Sequence, residues 1–477
     1  MEFSKRLTTK EKALRINLDS KIYGSFAEIG AGQDVATNFF KSGGASGTVA
    51  KTMSAYDMAF SDAIYGPEES KRYVCEPRLI KMIDKEYRLC IKRLQHRAAD
   101  TCFFAFADTV EALNFNRTNE GRGWMGVRFQ LTPRSEPNEC VIHIRMKDND
   151  PILQQQAVGM VGVNLIYGCY FLNKNPEELL NSLLDEVTFN RMEIDFFRLS
   201  GPDFEDVDNR IFSLKLVKNG LTKATMFGSD GEVLQPADVL YKKNILILRG
   251  RFRPVTNVNI DMLEKGYEQF CEEPDVEPDN IIVLSELTLS DLREASQGEI
   301  DEKDFMDRVN ILCSLGQTVL ISNYPEYYRL ISYLSKFTRS KKMGMILGVY
   351  NIEKIFMEKY YENLKGGILE SFGTLFGRNI KLLVYPSYRK GSKEIIHSED
   401  ISLPEHLVHL FMYLVANNKI ENILGCNEEN LHIISDEILK AIKEGEGDWK
   451  NYVPEIVAKQ IEENHLFEYP HQETSSK

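Results

Sequence analysis

The first residues in this 477-residue chain whose types and spacing could do chemistry are six glycines: Gly24, Gly30, Gly32, Gly43, Gly44 and Gly47. Phe26-Ala27-Glu28-Ile29-Gly30-Ala31-Gly32-Gln33 reads as a strand end entering a tight turn. Gly43-Gly44-Ala45-Ser46-Gly47-Thr48 reads as the opening of a helix that runs to about Tyr65. Glycine lets the backbone approach a ligand closely, and free N–H groups at a helix start favour an anion. Gly30, Gly32, Gln33, Gly43, Gly44 and Gly47 are therefore expected to hold a phosphate. The pattern is not a Walker A loop, because Ala50 precedes Lys51-Thr52. It is not a dinucleotide fingerprint either, because Val35 stands where the third glycine belongs. Wound at 100° per residue, Thr48–Tyr65 puts Lys51, Ser54, Asp57, Ser61, Asp62 and Tyr65 on one polar arc, which adds Lys51 and Asp62 to the ligand-binding set. An amphipathic surface helix behind a flexible loop would give the same pattern.

A second group comes from two strand-like runs. Read with period 2, Trp124–Leu131 puts Trp124, Gly126, Arg128 and Gln130 on one face, and Cys140–Lys147 puts Val141, His143, Arg145 and Lys147 on one face. Paired as neighbours, the runs would gather Arg128, Gln130, His143, Arg145 and Lys147, a surface suited to a phosphate or carboxylate. His143 is the acid/base candidate there, with Arg145 on the anion and Asp57 or Asp62 orienting the imidazole or holding Mg²⁺. The competing expectation is a solvated sheet face, which carries charges for no chemical reason. Asn164, an amide in an otherwise apolar helix, needs a partner, structural or ligand.

A third group is Arg249-Gly250-Arg251-Phe252-Arg253-Pro254-Val255-Thr256-Asn257, which follows the apolar run Ile245–Leu248. It resembles the strand–loop–helix signature of adenylyl- and cytidylyltransferases, G-x-F-x-P followed by Thr/His-x-Gly-His. Gly250, Phe252, Pro254 and Thr256 match, while Val258 and Asn259 replace the Gly-His pair, so the histidine on the transferring phosphate is missing. Arg251, with its neighbours Arg249 and Arg253, is an expected anion contact.

Longer strings carry a wider resemblance: Phe26 to Gln33, Gly43 to Thr48, Ala50 to Asp57, Gly123 to Gln130, His143 to Met146 and Gly162 to Gly168. They resemble a bacterial family of about this length whose members often carry the names nicotinamide or nicotinate mononucleotide adenylyltransferase, or TonB-dependent receptor. The first name implies a nucleotidyltransferase; the second implies a barrel and plug, which the helix-rich pattern contradicts. The family brings no established catalytic residues to transfer.

Composition frames these readings. The formal charge of −13 disfavours extended nucleic acid but leaves room for a local basic pocket. Eight cysteines without a CxxC pair suggest free thiols in a reducing compartment. The amino terminus lacks a signal-like apolar segment, and the longest apolar run, Ala157–Leu172, is short for a membrane span. A cytoplasmic location without membrane contact is expected.

The elements that must position these groups read as an α/β protein. Residues 1–175 form a glycine-rich α+β domain with antiparallel strands and the basic face. Residues 176–390 form a mostly parallel βαβ sheet, open rather than barrel-like, and residues 391–477 a helical region with a polar tail. The functional expectation is an enzyme binding a nucleotide or other phosphorylated metabolite, nucleotidyltransferase-like by resemblance. The alternatives are a non-catalytic ligand-binding or scaffold protein, and a metal-dependent hydrolase using His143 with Asp57, Asp62 or Asp108. No cofactor is identified, Mg²⁺ is the ion a nucleotide substrate would bring, and a homo-oligomer is compatible.

Overall fold

The computed structural model describes residues 6–295, 298–377 and 379–470. It divides the chain into two compact units, Met1–Lys223 and Ala224–Lys477, where three regions were expected.

The first unit is built on a six-stranded sheet of order β2-β1-β3-β4-β5-β6. These strands are β1 (Ile22–Gly30), β2 (Val49–Ala55), β3 (Cys102–Glu111), β4 (Gly121–Phe129), β5 (Asn138–Met146) and β6 (Met192–Ser200). In that order β2, β1 and β3 run parallel, and β3, β4, β5 and β6 pair antiparallel, so the antiparallel strands expected in this region are present. Its helices are α1 (Thr9–Asn17), α2 (Asp34–Ser42), α3 (Met58–Tyr65), α4 (Glu76–Arg93), α5 (Pro151–Phe171), α6 (Pro176–Ser182) and α7 (Asn209–Lys218). One sheet face, with Phe26, Phe104, Phe106, Met125 and Val127, shares a core with apolar residues of α1, α2 and α5. The opposite face is covered in part by α4, whose Leu79 and Ile83 leave room only for the bare Cα of Gly126.

Two expectations change here. Gly43–Tyr65 is not one helix: Val49–Ala55 is an edge strand with alternating burial, and α3 starts only after Asp57. Over these seven residues Lys51 and Ser54 fit a helical arc, while Thr52 and Ser54 fit the exposed side of a strand. The edge position decides it, because β1 offers its backbone to Val49–Ala55. The second domain was expected to begin at residue 176 and so to include Met192–Ser200, yet this strand completes the first sheet by pairing with β5.

The second unit has an eight-stranded open sheet of order β16-β13-β12-β9-β10-β11-β7-β8. Its strands are β7 (Ala224–Phe227), β8 (Val233–Leu234), β9 (Asn244–Arg249), β10 (Ile281–Thr288), β11 (Thr318–Ser322), β12 (Met343–Gly348), β13 (Ile380–Tyr385) and β16 (Ile420–Asn422). A separate ribbon joins β14 (Ser387–Tyr388) to β15 (Ile395–Ile396). The helices are α8 (Pro236–Val239), α9 (Asn257–Cys271), α10 (Leu289–Ala295), α11 (Glu302–Ser314), α12 (Tyr327–Thr338), α13 (Tyr350–Ile355), α14 (Gly367–Leu375), α15 (Glu405–Ala416), α16 (Ser435–Glu444) and α17 (Glu455–Asn464). The six parallel strands read β11-β10-β9-β12-β13-β16, the doubly wound order 3-2-1-4-5-6. Ile245–Leu248 are all buried, as a central parallel strand requires. The carboxy-terminal region is not purely helical, because β16 extends this sheet beside β13.

Across both units the chain is α/β. Among the described residues no helix is long and apolar enough to cross a membrane. All eight cysteines are unbridged.

Candidate functional site

In the first unit the structure separates the groups that the sequence brought together. Gly30 ends β1, whereas Gly43, Gly44 and Gly47 lead into β2, which runs parallel to it. The two glycine clusters therefore lie at opposite ends of the strands, roughly 25 Å apart at about 3.3 Å per residue. Each has a local reason. Gly30 (φ +76°) leaves no room for a Cβ beside the Val110 carbonyl, and Gly43 (φ +86°) terminates α2. At Gly32 a Cβ would sit 1.9 Å from Asp108 Oδ1. Gln33 bonds back to the Gly30 carbonyl with its amide at 3.3 Å.

The two strands do pair as neighbours, with Trp124 opposite His143 and Arg122 opposite Arg145. Its charges are already met. Arg128 donates to Asp84 at 2.7 Å and to Glu139 at 2.8 Å. Burial works against its charge, but these carboxylates outweigh it and raise its pKa. Arg145 pairs with Glu120 and Glu193, and Lys147 with Glu193. Gln130 braces a turn, accepting from Phe103 N–H and donating to the Ser135 carbonyl. His143 is only 2% exposed. It is bonded through Nδ1 to Asp195 at 2.6 Å, with its ring against Trp124. Arg128 lies four positions along β4 from the partner of His143, roughly 13 Å away. An anion clamp with a solvent-reaching imidazole is not what this face forms.

The remaining candidates of this unit are also tied into the scaffold. Asp57 caps α3 through the Phe60 N–H. Asp62 accepts from Arg78 and from the Tyr73 hydroxyl, and Lys51 pairs with Glu86. Asn164 accepts from the buried ammonium of Lys12 at 2.8 Å and donates to the carbonyls of Leu183 and Asp185. Its partners are structural.

One pair in this unit was not found by pattern. Glu28 on β1 and Asp108 on β3 are register partners, 3% and 0% exposed. Burial pushes Glu28 up to about 7, although the N–H groups of Val35 and Ala36 at the start of α2 favour its charged form. Burial and the neighbouring Glu28 push Asp108 well up as well. Neither Asp108 oxygen has a hydrogen-bond partner among the described residues.

The second unit holds an open cleft of about 610 Å³ across the carboxyl ends of four parallel strands. Arg249, Gly250 and Arg251 enter it after β9, and Thr288, Ser290, Asp291 and Glu294 after β10. Pro325, Glu326 and Tyr327 enter after β11, and Asn351, Lys354, Ile355, Tyr360 and Tyr361 after β12. The chain winds outward from β9 to β11 and then returns to β12, so the direction reverses at the cleft. Ligands of open parallel sheets bind at such a reversal.

The three arginines of the β9 loop have distinct duties. Arg249 bonds both oxygens of Glu286, at 2.7 and 3.0 Å, and the carbonyls of Tyr324 and Pro325. Its guanidinium lies 4.5 Å from the Tyr327 ring centre. Glu286 also accepts from Ser322, so one node joins β9, β10 and β11 and holds Arg249 in the cleft lining. Burial opposes the Arg249 charge, but Glu286 overcomes it and raises the pKa. Arg253 pairs with Asp304, and Arg251 with Asp436. Asn259, at the position of the missing histidine, accepts from the N–H and hydroxyl of Thr256 and so caps α9. Of the cleft, the sequence signalled only the Arg249–Arg253 stretch. Ser290, Asp291, Tyr327, Asn351 and Lys354 are brought there by separate crossovers.

No protein-family model matches the sequence, and no curated protein matches it. Among solved structures, the chain is similar to the Plasmodium falciparum nicotinic acid mononucleotide adenylyltransferase complexed with APC, at 14% identity and a TM-score of 0.31. That likeness covers 48% of this chain and 98% of the other. A putative nicotinate-nucleotide adenylyltransferase from Vibrio parahaemolyticus gives 14% identity and a TM-score of 0.24, covering 48% and 97%. A competence-damaged protein (CinA) superfamily member from Enterobacter cloacae gives 12% and 0.26, covering 38% and 96%. Similarity at this level assigns no residue a role.

Proposed function

We propose that the second unit binds a nucleotide, or another phosphorylated metabolite bearing a flat ring, in the cleft across β9–β12. The observation that supports this reading is the cleft's position at the reversal of a 3-2-1-4-5-6 sheet. Its lining suits an amphiphilic ligand. Tyr327 and Tyr360 offer ring faces, Ser290, Asp291 and Asn351 offer partners for ribose hydroxyls, and Arg251 and Lys354 offer cations for phosphate.

Nucleotidyl transfer is the reaction that the Gly250–Thr256 stretch resembles. With Asn259 committed to capping α9, the transferring phosphate would depend on Arg251 or Lys354 instead of an imidazole. That substitution favours a second reading, a nucleotide-binding protein without turnover. The metal-dependent hydrolase has less support, since among the described residues no three His, Cys, Asp or Glu side chains gather to hold a metal.

The test is a thermal-shift series on the full chain with adenosine, AMP, ATP and nicotinamide mononucleotide, each with and without Mg²⁺. A ligand at a hundred times its dissociation constant stabilises by about 2.7 kcal/mol, and Tyr327→Ala should reduce the shift. A flat response to the whole series rejects the reading. Pyrophosphate release from ATP with nicotinamide mononucleotide separates an enzyme from a binding protein.

A further inference from the structure

Arg249, Arg251 and Arg253 each meet a carboxylate, but the three pairs differ in how firmly they are held. The side chains of Arg249 and Glu286 are 9% and 0% exposed, and those of Arg253 and Asp304 are 20% and 9%. Arg251 and Asp436 are 48% and 65% exposed, with a separation of 2.9 Å. A desolvated pair resists separation because each charge would be stranded in a poor solvent, whereas water readily replaces either partner of an exposed pair.

The backbone and side chain of Arg251 are also held differently. Its carbonyl accepts from Arg308 Nη1 at 3.0 Å, and the Arg308 side chain is fully buried. The loop is thus pinned while the guanidinium stays at the surface. Both oxygens of Asp436 bond one and the same terminal nitrogen, Nη2. Among the described residues Nε and Nη1 of Arg251 have no hydrogen-bond partner, and each two-nitrogen edge of the guanidinium pairs one of them with Nη2, so a phosphate that takes either edge must displace Asp436 from Nη2. Asp436 itself lies in the first turn of α16, a position that stabilises a carboxylate without an arginine.

We propose that Arg251 is the exchangeable phosphate contact of the cleft and that Asp436 is its resident competitor. A phosphate-bearing ligand takes the guanidinium over from Asp436, and α16 loses its ion pair to the β9 loop as the ligand binds. This inference rests on the nucleotide reading of the cleft. It names the residue that distinguishes a nucleotide from a nucleoside, and it makes α16 responsive to occupancy.

The test is titration calorimetry on the full chain at low salt, with adenosine and AMP as probes. The proteins are the wild type, Asp436→Asn, Arg251→Ala and the double variant. Asp436→Asn should tighten AMP about five-fold, or about 1 kcal/mol at 1.4 kcal/mol per ten-fold, and leave adenosine unchanged. Arg251→Ala should weaken AMP and cancel the gain in the double variant. AMP binding that is equal in the wild type and Asp436→Asn overturns the exchange and leaves the cleft reading intact. An equal gain for adenosine overturns it too, since a nucleoside has no charge to compete for. Absence of AMP binding to all four proteins overturns the exchange as well, while the cleft reading itself falls only with a flat response to the whole thermal-shift series.

Discussion

Glu28 and Asp108 face each other in register on the parallel strands β1 and β3, almost wholly removed from water. Glu28 still accepts the Val35 N–H at 2.9 Å, whereas Asp108 makes no well-formed hydrogen bond among the described residues and the nearby Ile29 N–H offsets its burial only in part. Two carboxyl groups so placed favour the protonated state, because a charge there lacks solvent and meets a like charge. The pair sits beneath the Gly30–Gly32 turn, so its proton inventory bears on that turn.

The first prediction concerns pH. The ordinary value for Glu28 is 4.5 and its value in the folded unit is about 7. Between these, the unfolded chain has released a proton that the folded unit retains, so stability falls as pH rises through that window and levels off above it. The contribution of Glu28 is on the order of 3 kcal/mol, and Asp108 acts in the same direction. Glu28→Gln should flatten this slope, read from urea midpoints of the first unit's transition between pH 4.5 and 8. A wild-type slope no steeper than the variant's would contradict the assignment.

A second prediction follows from the contact between Gly32 and Asp108. Gly32→Ala forces a methyl group to 1.9 Å from Oδ1 and should destabilise by about 1–3 kcal/mol. Because the clash is with a side chain, Asp108→Ala should recover most of the loss in the double variant. Additive losses would place the strain in the backbone instead.

The third concerns the node that holds Arg249 in the cleft lining. Arg249→Ala leaves Glu286 buried without its cation and two carbonyls without their donor. A loss of about 3–5 kcal/mol in the second unit is expected by denaturant titration. Glu286→Gln should also destabilise, because the amide keeps one acceptor for Arg249 Nη2 and Ser322 but turns its NH2 against Arg249 Nε–H. A wild-type midpoint for Arg249→Ala would show that the node contributes no stability.

A fourth prediction separates structure from catalysis at His143. His143→Ala strips the ring from Trp124 and leaves Asp195 buried without that partner, so a melting point several degrees lower is expected, with altered near-ultraviolet dichroism. Unchanged melting with lost turnover would instead mark His143 as chemical.

Local geometry alone determined much of this protein. Period-2 runs located β4 and β5, and the apolar run Ile245–Leu248 announced a buried strand. These signals reside in neighbouring residues, because backbone repeat distances are local. Val49–Ala55 shows the limit: a helical arc and an edge strand share one short pattern, and only the presence of β1 chose between them. The candidate site was less legible for a related reason. A sequence counts cations but not their partners, and Lys51, Arg128, Arg249 and Arg251 find theirs 35, 44, 37 and 185 positions away, in Glu86, Asp84, Glu286 and Asp436. The tertiary structure alone decided that the two glycine clusters stand at opposite strand ends. It also decided that four crossover loops share one cleft, because strand direction and sheet order are set by pairings between segments far apart in the chain.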